Sequence, residues 1–152
     1  MSKKIVLTES EITIASTVGI KRQLECIRNK LQDKHGHDGA GWNLHVEGAC
    51  GELVVAKALG LYWDGSVNTF KTGDDVPGLQ VRTRSKDWYE LIIRKDDDPD
   101  AKFVLVTGVC PVYRIHGWML GSDAMQEKWL KEYGGREAAY FVPQDALLRS
   151  RP

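Results

Sequence analysis

Between residues 79 and 86 the chain alternates: Leu79, Val81 and Thr83 fall on one side, and Gln80, Arg82, Arg84 and Lys86 on the other. A period of two predicts a β-strand with a core face and a polar working face. The preceding GDDVPG is a turn, because Pro77 presets its own φ and Gly78 permits a positive one, so Asp74 and Asp75 are expected to end one strand and Gln80 to begin the next. Upstream the period changes. Ile20, Leu24, Ile27 and Leu31 recur at i, i+4, i+7 and i+11, and Thr8 with Glu11 has capping-box spacing, which predicts an amphipathic helix over about residues 9 to 33. It runs into a glycine-rich connector, HGHDGAG. A second helix, over about residues 43 to 59, carries the stripe Val46, Ala49, Leu53 and Ala56, with Gly60 as its stop. Gly48 and Gly51 within it cost about 1 kcal/mol each relative to alanine, so this helix is expected to approach a sheet or another backbone closely.

Beyond Gly60 the texture becomes β-branched and aromatic. LYWDGSVNTFKT, LQVRTRS, WYELIIR, KFVLVTGV and VYRIHGWML are separated by turn clusters and predict about five strands. SDAMQEKWLKEYGG reads as a short helix with Ser122 as N-cap and Gly134-Gly135 as terminator, followed by a last apolar piece, YFVP. The expected class is α+β: two N-terminal helices, a mixed central sheet of about five strands and a C-terminal helix, forming one domain over 1–152 with its core at about 40–120.

Lysine plus arginine and aspartate plus glutamate number 21 each, so net charge gives no global case for nucleic acid, and such a partner has to meet a local basic strip. Cys26, Cys50 and Cys110 are an odd set without a CxxC spacing, which argues for free thiols in a reducing compartment. No signal-peptide core or membrane-length apolar run occurs, so the expectation is a soluble, cytoplasmic protein without a membrane partner.

Several clusters invite a chemical reading. DDDPD, residues 96 to 100, starts like a calcium loop, but Ala101 and Thr107 stand where that loop needs glycine and glutamate, leaving a solvated hairpin turn. His35, His37 and Asp38 lie in a polar connector without a thiolate and read as an exposed loop. Trp63, Trp88, Trp118 and Trp129 could offer stacking surfaces for bases, but tryptophan on a strand is more often core or rim packing. The set that holds together is Glu52, Asp75, Gln80 and Arg82. An acid on a helix, an acid at a turn, and an amide and a cation two residues apart on one strand face bring oxygen donors from three elements towards one point, as a hard divalent cation requires.

The segments GACGELVVAKALG and DVPGLQVRTR resemble the PD-(D/E)xK nuclease superfamily, particularly small phage-encoded members with a GE helix followed by DVxGxEVKT. The resemblance covers about residues 45 to 107 and implies a restriction-endonuclease-like core: a mixed sheet flanked by helices, with the site at the hairpin after the first strand. It assigns Asp75 to the metal-ligand aspartate, Gln80 to the second acid, Arg82 to the lysine and Glu52 to the helix glutamate, with Asp74 as the alternative ligand. Gln80 keeps an oxygen donor but loses a charge, and Arg82 keeps a charge but cannot act as a base. The implied activity is Mg²⁺- or Mn²⁺-dependent hydrolysis of DNA phosphodiesters, with Arg84 and Lys86 extending the phosphate-binding strip. The alternative is an inactive protein of the same fold that binds nucleic acid or a protein partner, such as a phage-encoded factor acting in the host cytoplasm. A homodimer is compatible with either.

Overall fold

The computed structural model describes residues 3–29, 41–67 and 73–152. A short strand, β1 (Lys4–Val6), comes first, followed by α1 (Glu9–Arg28) and α2 (Gly41–Leu59). The Thr8–Glu11 capping box forms as its spacing requires: Thr8 accepts from the Glu11 amide at 3.2 Å, and Glu11 accepts from the Thr8 amide at 2.9 Å. Then come β2 (Gln80–Arg84), β3 (Leu91–Arg94), β4 (Lys102–Val109), β5 (Val112–Leu120), the four-residue α3 (Gly121–Ala124), β6 (Leu130–Lys131) and β7 (Ala139–Val142). The strands form two sheets rather than one. A four-stranded sheet runs β1-β5-β4-β2, antiparallel except for β2 beside β4, and an antiparallel sheet of three strands runs β3-β7-β6.

The α+β class stands, but four local expectations give way. Residues 61–67 form no strand, and of WYELIIR only Leu91–Arg94 is extended and joins the smaller sheet. The helix expected from Ser122 stops at Ala124. Glu127–Trp129 makes one 3₁₀ turn, and Leu130 and Lys131 are claimed by the ladder with Tyr140 and Ala139. A short segment with little helical hydrogen bonding of its own yields to strand pairing. The turn DDDPD joins β3 to β4, which lie in different sheets, so it is not a hairpin.

α1 is rotated away from the orientation that its isoleucines suggest. Its buried residues are Ala15 and Gly19, while Ile20, Leu24 and Ile27 remain 43%, 43% and 54% exposed. The small residues face α2: a Cβ on Gly19 would lie 2.5 Å from the Val46 Cα, so only glycine lets the helices meet there. α2 is in turn sandwiched, with Ala49 to Glu52 and Val54 to Ala56 all buried. A Cβ on Gly51 would lie 1.8 Å from the Thr83 hydroxyl of β2, which is the close sheet approach its cost implied, whereas nothing lies within 4 Å of a Cβ at Gly48.

Two hydrophobic clusters lie on either side of the larger sheet. Val81, Val104, Val106 and Ile115 pack towards α2, and Phe103, Leu105 and Met119 pack with Leu91, Ile93 and Val142 of the smaller sheet. Among the described residues no helix is long and apolar enough to cross a membrane.

Candidate functional site

The turn before β2 is built by its two aspartates. The Leu79 amide donates to the Val76 carbonyl at 2.8 Å and Gly78 takes φ +78°, closing the reversal that Pro77-Gly78 predicts. The Gly78 amide donates to Asp74 Oδ2 at 3.0 Å. The Val81 amide donates to Asp75 Oδ2 at 2.7 Å, fixing the Asp75 carboxylate at the mouth of the strand. Asp74 and Asp75 do not end a regular strand; the neighbouring Val76 makes a single bridge with Leu79. Gln80 Nε2 donates weakly to the Gly73 carbonyl and to Asp74 Oδ1, at 3.4 and 3.3 Å.

Glu52 is buried on α2, and its partner is a residue the sequence did not single out. Arg22 of α1 donates from Nη1 to Oε2 at 2.6 Å and from Nη2 to Oε1 at 2.9 Å, a two-pronged pairing. Arg22 Nε donates to the Ser66 carbonyl at 2.9 Å, and Trp63 Nε1 donates to Glu52 Oε1 at 3.1 Å. Asp75 lies within the field of this pair. Burial, and then the Glu52 charge, raise its pKa to about 6, against the Val81 amide, Arg82 and Arg22, which lower it. Arg22, Asp75 and Gln80 line one cavity of about 120 Å³, and Asp75 also borders a second of about 220 Å³ together with Asp64 and Asp74. Arg22 thus stands between Glu52, which it binds, and the cavity that Asp75 and Gln80 line.

Arg82 does not complete that group directly. Its Nη2 donates to Asp97 Oδ1 at 2.6 Å, and its guanidinium lies over the Phe103 ring at 4.9 Å, on the face turned to the second cluster. The strand face expected as an open polar surface is therefore occupied. Arg84 sits over the Tyr89 ring at 4.0 Å and donates to the Glu90 carbonyl at 3.0 Å, and burial lowers its pKa. Of the expected basic strip, Lys86 alone is exposed, past the end of the strand. The reason is the smaller sheet, which packs over that face through Leu91 and Ile93.

The other candidates resolve into structure. Asp97 holds Arg82 and also accepts the Arg94 amide at 2.7 Å, so one member of DDDPD ties a turn to β2. Trp118 Nε1 donates to the Ser150 carbonyl at 3.0 Å, Trp129 lies under Lys128, and Trp88 is 73% exposed. The three cysteines are free, and burial pushes the Cys50 thiol up to about 12. His35, His37 and Asp38 lie outside the described residues. A second spacing in the sequence points to Arg22: Ala15, Gly19, Arg22 and Cys26 also recur at i, i+4, i+7 and i+11, and mark the face that turns inward.

Among the described residues no group of three or more histidine, cysteine, aspartate or glutamate side chains is placed to hold a metal. The candidate set brings two carboxylates and an amide, all oxygen donors, with one carboxylate, Asp75, whose pKa is raised by burial and then by the Glu52 charge. That chemistry fits a hard divalent cation, provided Arg22 gives up its hold on Glu52. No family model, curated protein or solved structure matches the chain.

Proposed function

We propose that the chain is a metal-dependent endonuclease of PD-(D/E)xK type that hydrolyses DNA phosphodiesters. The observation that carries this reading is that Arg22, which binds Glu52 of the helix, also lines the cavity bordered by Asp75 of the turn, whose pKa burial and then the Glu52 charge raise to about 6. Glu52 is compensated by Arg22, but Asp75 is buried beside that charge with only the Val81 amide bound to it among the described residues, an arrangement useful for binding a cation. Glu52, Asp75 and Gln80 would hold Mg²⁺ or Mn²⁺, with Asp74 beside them, and the ion supplies Lewis acidity at the phosphodiester. Arg82 contributes positive charge to the field at Asp75, and a guanidinium is not suited to a base role. Lys86 offers an exposed phosphate contact, and Arg84 acts indirectly by holding the Tyr89–Glu90 segment.

Nicking of supercoiled plasmid in Mg²⁺ or Mn²⁺ tests the reading. Wild type should convert it to open circles, and Asp75→Ala should abolish the conversion. A second reading, a nuclease-like frame retained for binding nucleic acid or a protein partner, draws support from Arg22 and Arg82, both engaged with carboxylates. It prevails if wild type cuts no plasmid, linear or single-stranded DNA and Gln80→Glu with Arg82→Lys creates cutting.

A further inference from the structure

The geometry points to Arg22 as a gate that neutralises Glu52 in the absence of a cation and turns to a phosphate of the nucleic acid when a cation is bound. This rests on the metal-dependent reading above. Both Glu52 oxygens are taken by the two terminal nitrogens of Arg22, and the side chains are only 12% and 7% exposed. A divalent ion on the same carboxylate would face the guanidinium charge at contact range in a poorly hydrated pocket, so the two cations exclude each other there.

Arg22 Nε also donates to the Ser66 carbonyl at 2.9 Å, and because the guanidinium is one rigid plane, a swing off Glu52 takes it off Ser66 as well. Arg22, Ser66, Asp75 and Gln80 share the walls of the 120 Å³ cavity, so the swing leads into the space beside the other proposed ligands. The fork that fits a carboxylate with two bonds fits a phosphate equally well. One side chain then links the two ligands: a cation on Glu52 frees the guanidinium, and a phosphate that engages the guanidinium frees Glu52. By linkage each must raise affinity for the other.

The test is calorimetric titration of the full chain with Mn²⁺, alone and with a short DNA duplex, for wild type, Arg22→Gln and Arg22→Lys. The gate predicts that Arg22→Gln binds Mn²⁺ at least about fivefold tighter without DNA and loses the gain that DNA gives wild type. Arg22→Lys, which keeps the charge but not the two-pronged hold, should move the same way by less, and it decides the matter if Arg22→Gln does not fold. Wild-type Mn²⁺ affinity and an unchanged DNA gain in both variants would make Arg22 a structural tie and leave the nuclease reading standing. Absence of Mn²⁺ binding in all three proteins, with or without DNA, would remove the gate and the reading beneath it.

Discussion

Arg22 grips Glu52 through two nitrogens, with 12% and 7% of the side chains exposed, whereas Arg82 reaches Asp97 through one nitrogen, with 32% and 18% exposed. The first pair joins α1 to α2 inside the helical layer, and the second joins β2 to a turn. Depth sets the difference in what each can do. A charge stranded in the first site has little water to solvate it, so both members must be present or neither. The second site can relax towards solvent when one partner goes. A deep pair beside a third charged group, Asp75, is also where exchanging one cation for another has the largest consequences.

The comparison is broken most severely by Arg22→Ala, which leaves Glu52 buried and unpaired and should cost about 3–5 kcal/mol in urea unfolding. Arg22→Met with Glu52→Met should recover most of it, because removing both charges removes the desolvation cost with the attraction. Gly51→Ala comes next: the new Cβ would meet the Thr83 hydroxyl at 1.8 Å, and overpacking of this kind costs about 1–3 kcal/mol. Thr83→Ala in that background should return part of the loss, since the clash is with its side chain. Arg82→Ala should cost only about 1 kcal/mol by the same measurement. If the two arginine variants lose equal stability, burial does not distinguish the pairs.

Asp75→Asn sharpens the contrast through pH. The Asp75 pKa is raised from 3.8 to about 6, so the folded state holds a proton there that the unfolded state releases. Wild-type stability from this group therefore falls as pH rises from 3.8 to about 6 and stays low above it. Asparagine can still accept from the Val81 amide, so the variant should match wild type near pH 4 and exceed it at neutral pH, roughly where most proteins are assayed. Thermal melts across that range measure it. The smallest effect expected is at Thr83, whose buried hydroxyl has no partner among the described residues: Thr83→Val should be neutral or stabilise by up to about 1 kcal/mol.

Local signals carried far in this sequence. The capping box of α1, the stop at Gly60, the turn at Pro77-Gly78 and the inward face Leu79–Val81–Thr83 were all readable, because each is set by residues only a few positions apart. The tertiary pairings were not. Glu52 was visible as an acid in an apolar helix, but its partner Arg22 is 30 residues away, on a helix whose larger apolar stripe pointed to the wrong face. Arg82 was visible, but Asp97 had every mark of a solvated turn. The outer face of β2 read as a working surface because period two separates the faces of a strand without telling whether a second sheet covers one of them. The smaller sheet depends on β3 meeting β7 across the chain, and the short apolar runs Leu91–Arg94 and Ala139–Val142 do not specify that meeting on their own.

The most direct test of the central claim is a crystal structure of the wild-type chain grown with Mn²⁺ and read by anomalous scattering. The account predicts a peak shared by Glu52 and Asp75, with the Arg22 guanidinium turned off Glu52. No peak at that site under saturating Mn²⁺, with Arg22 still gripping both Glu52 oxygens, would contradict it.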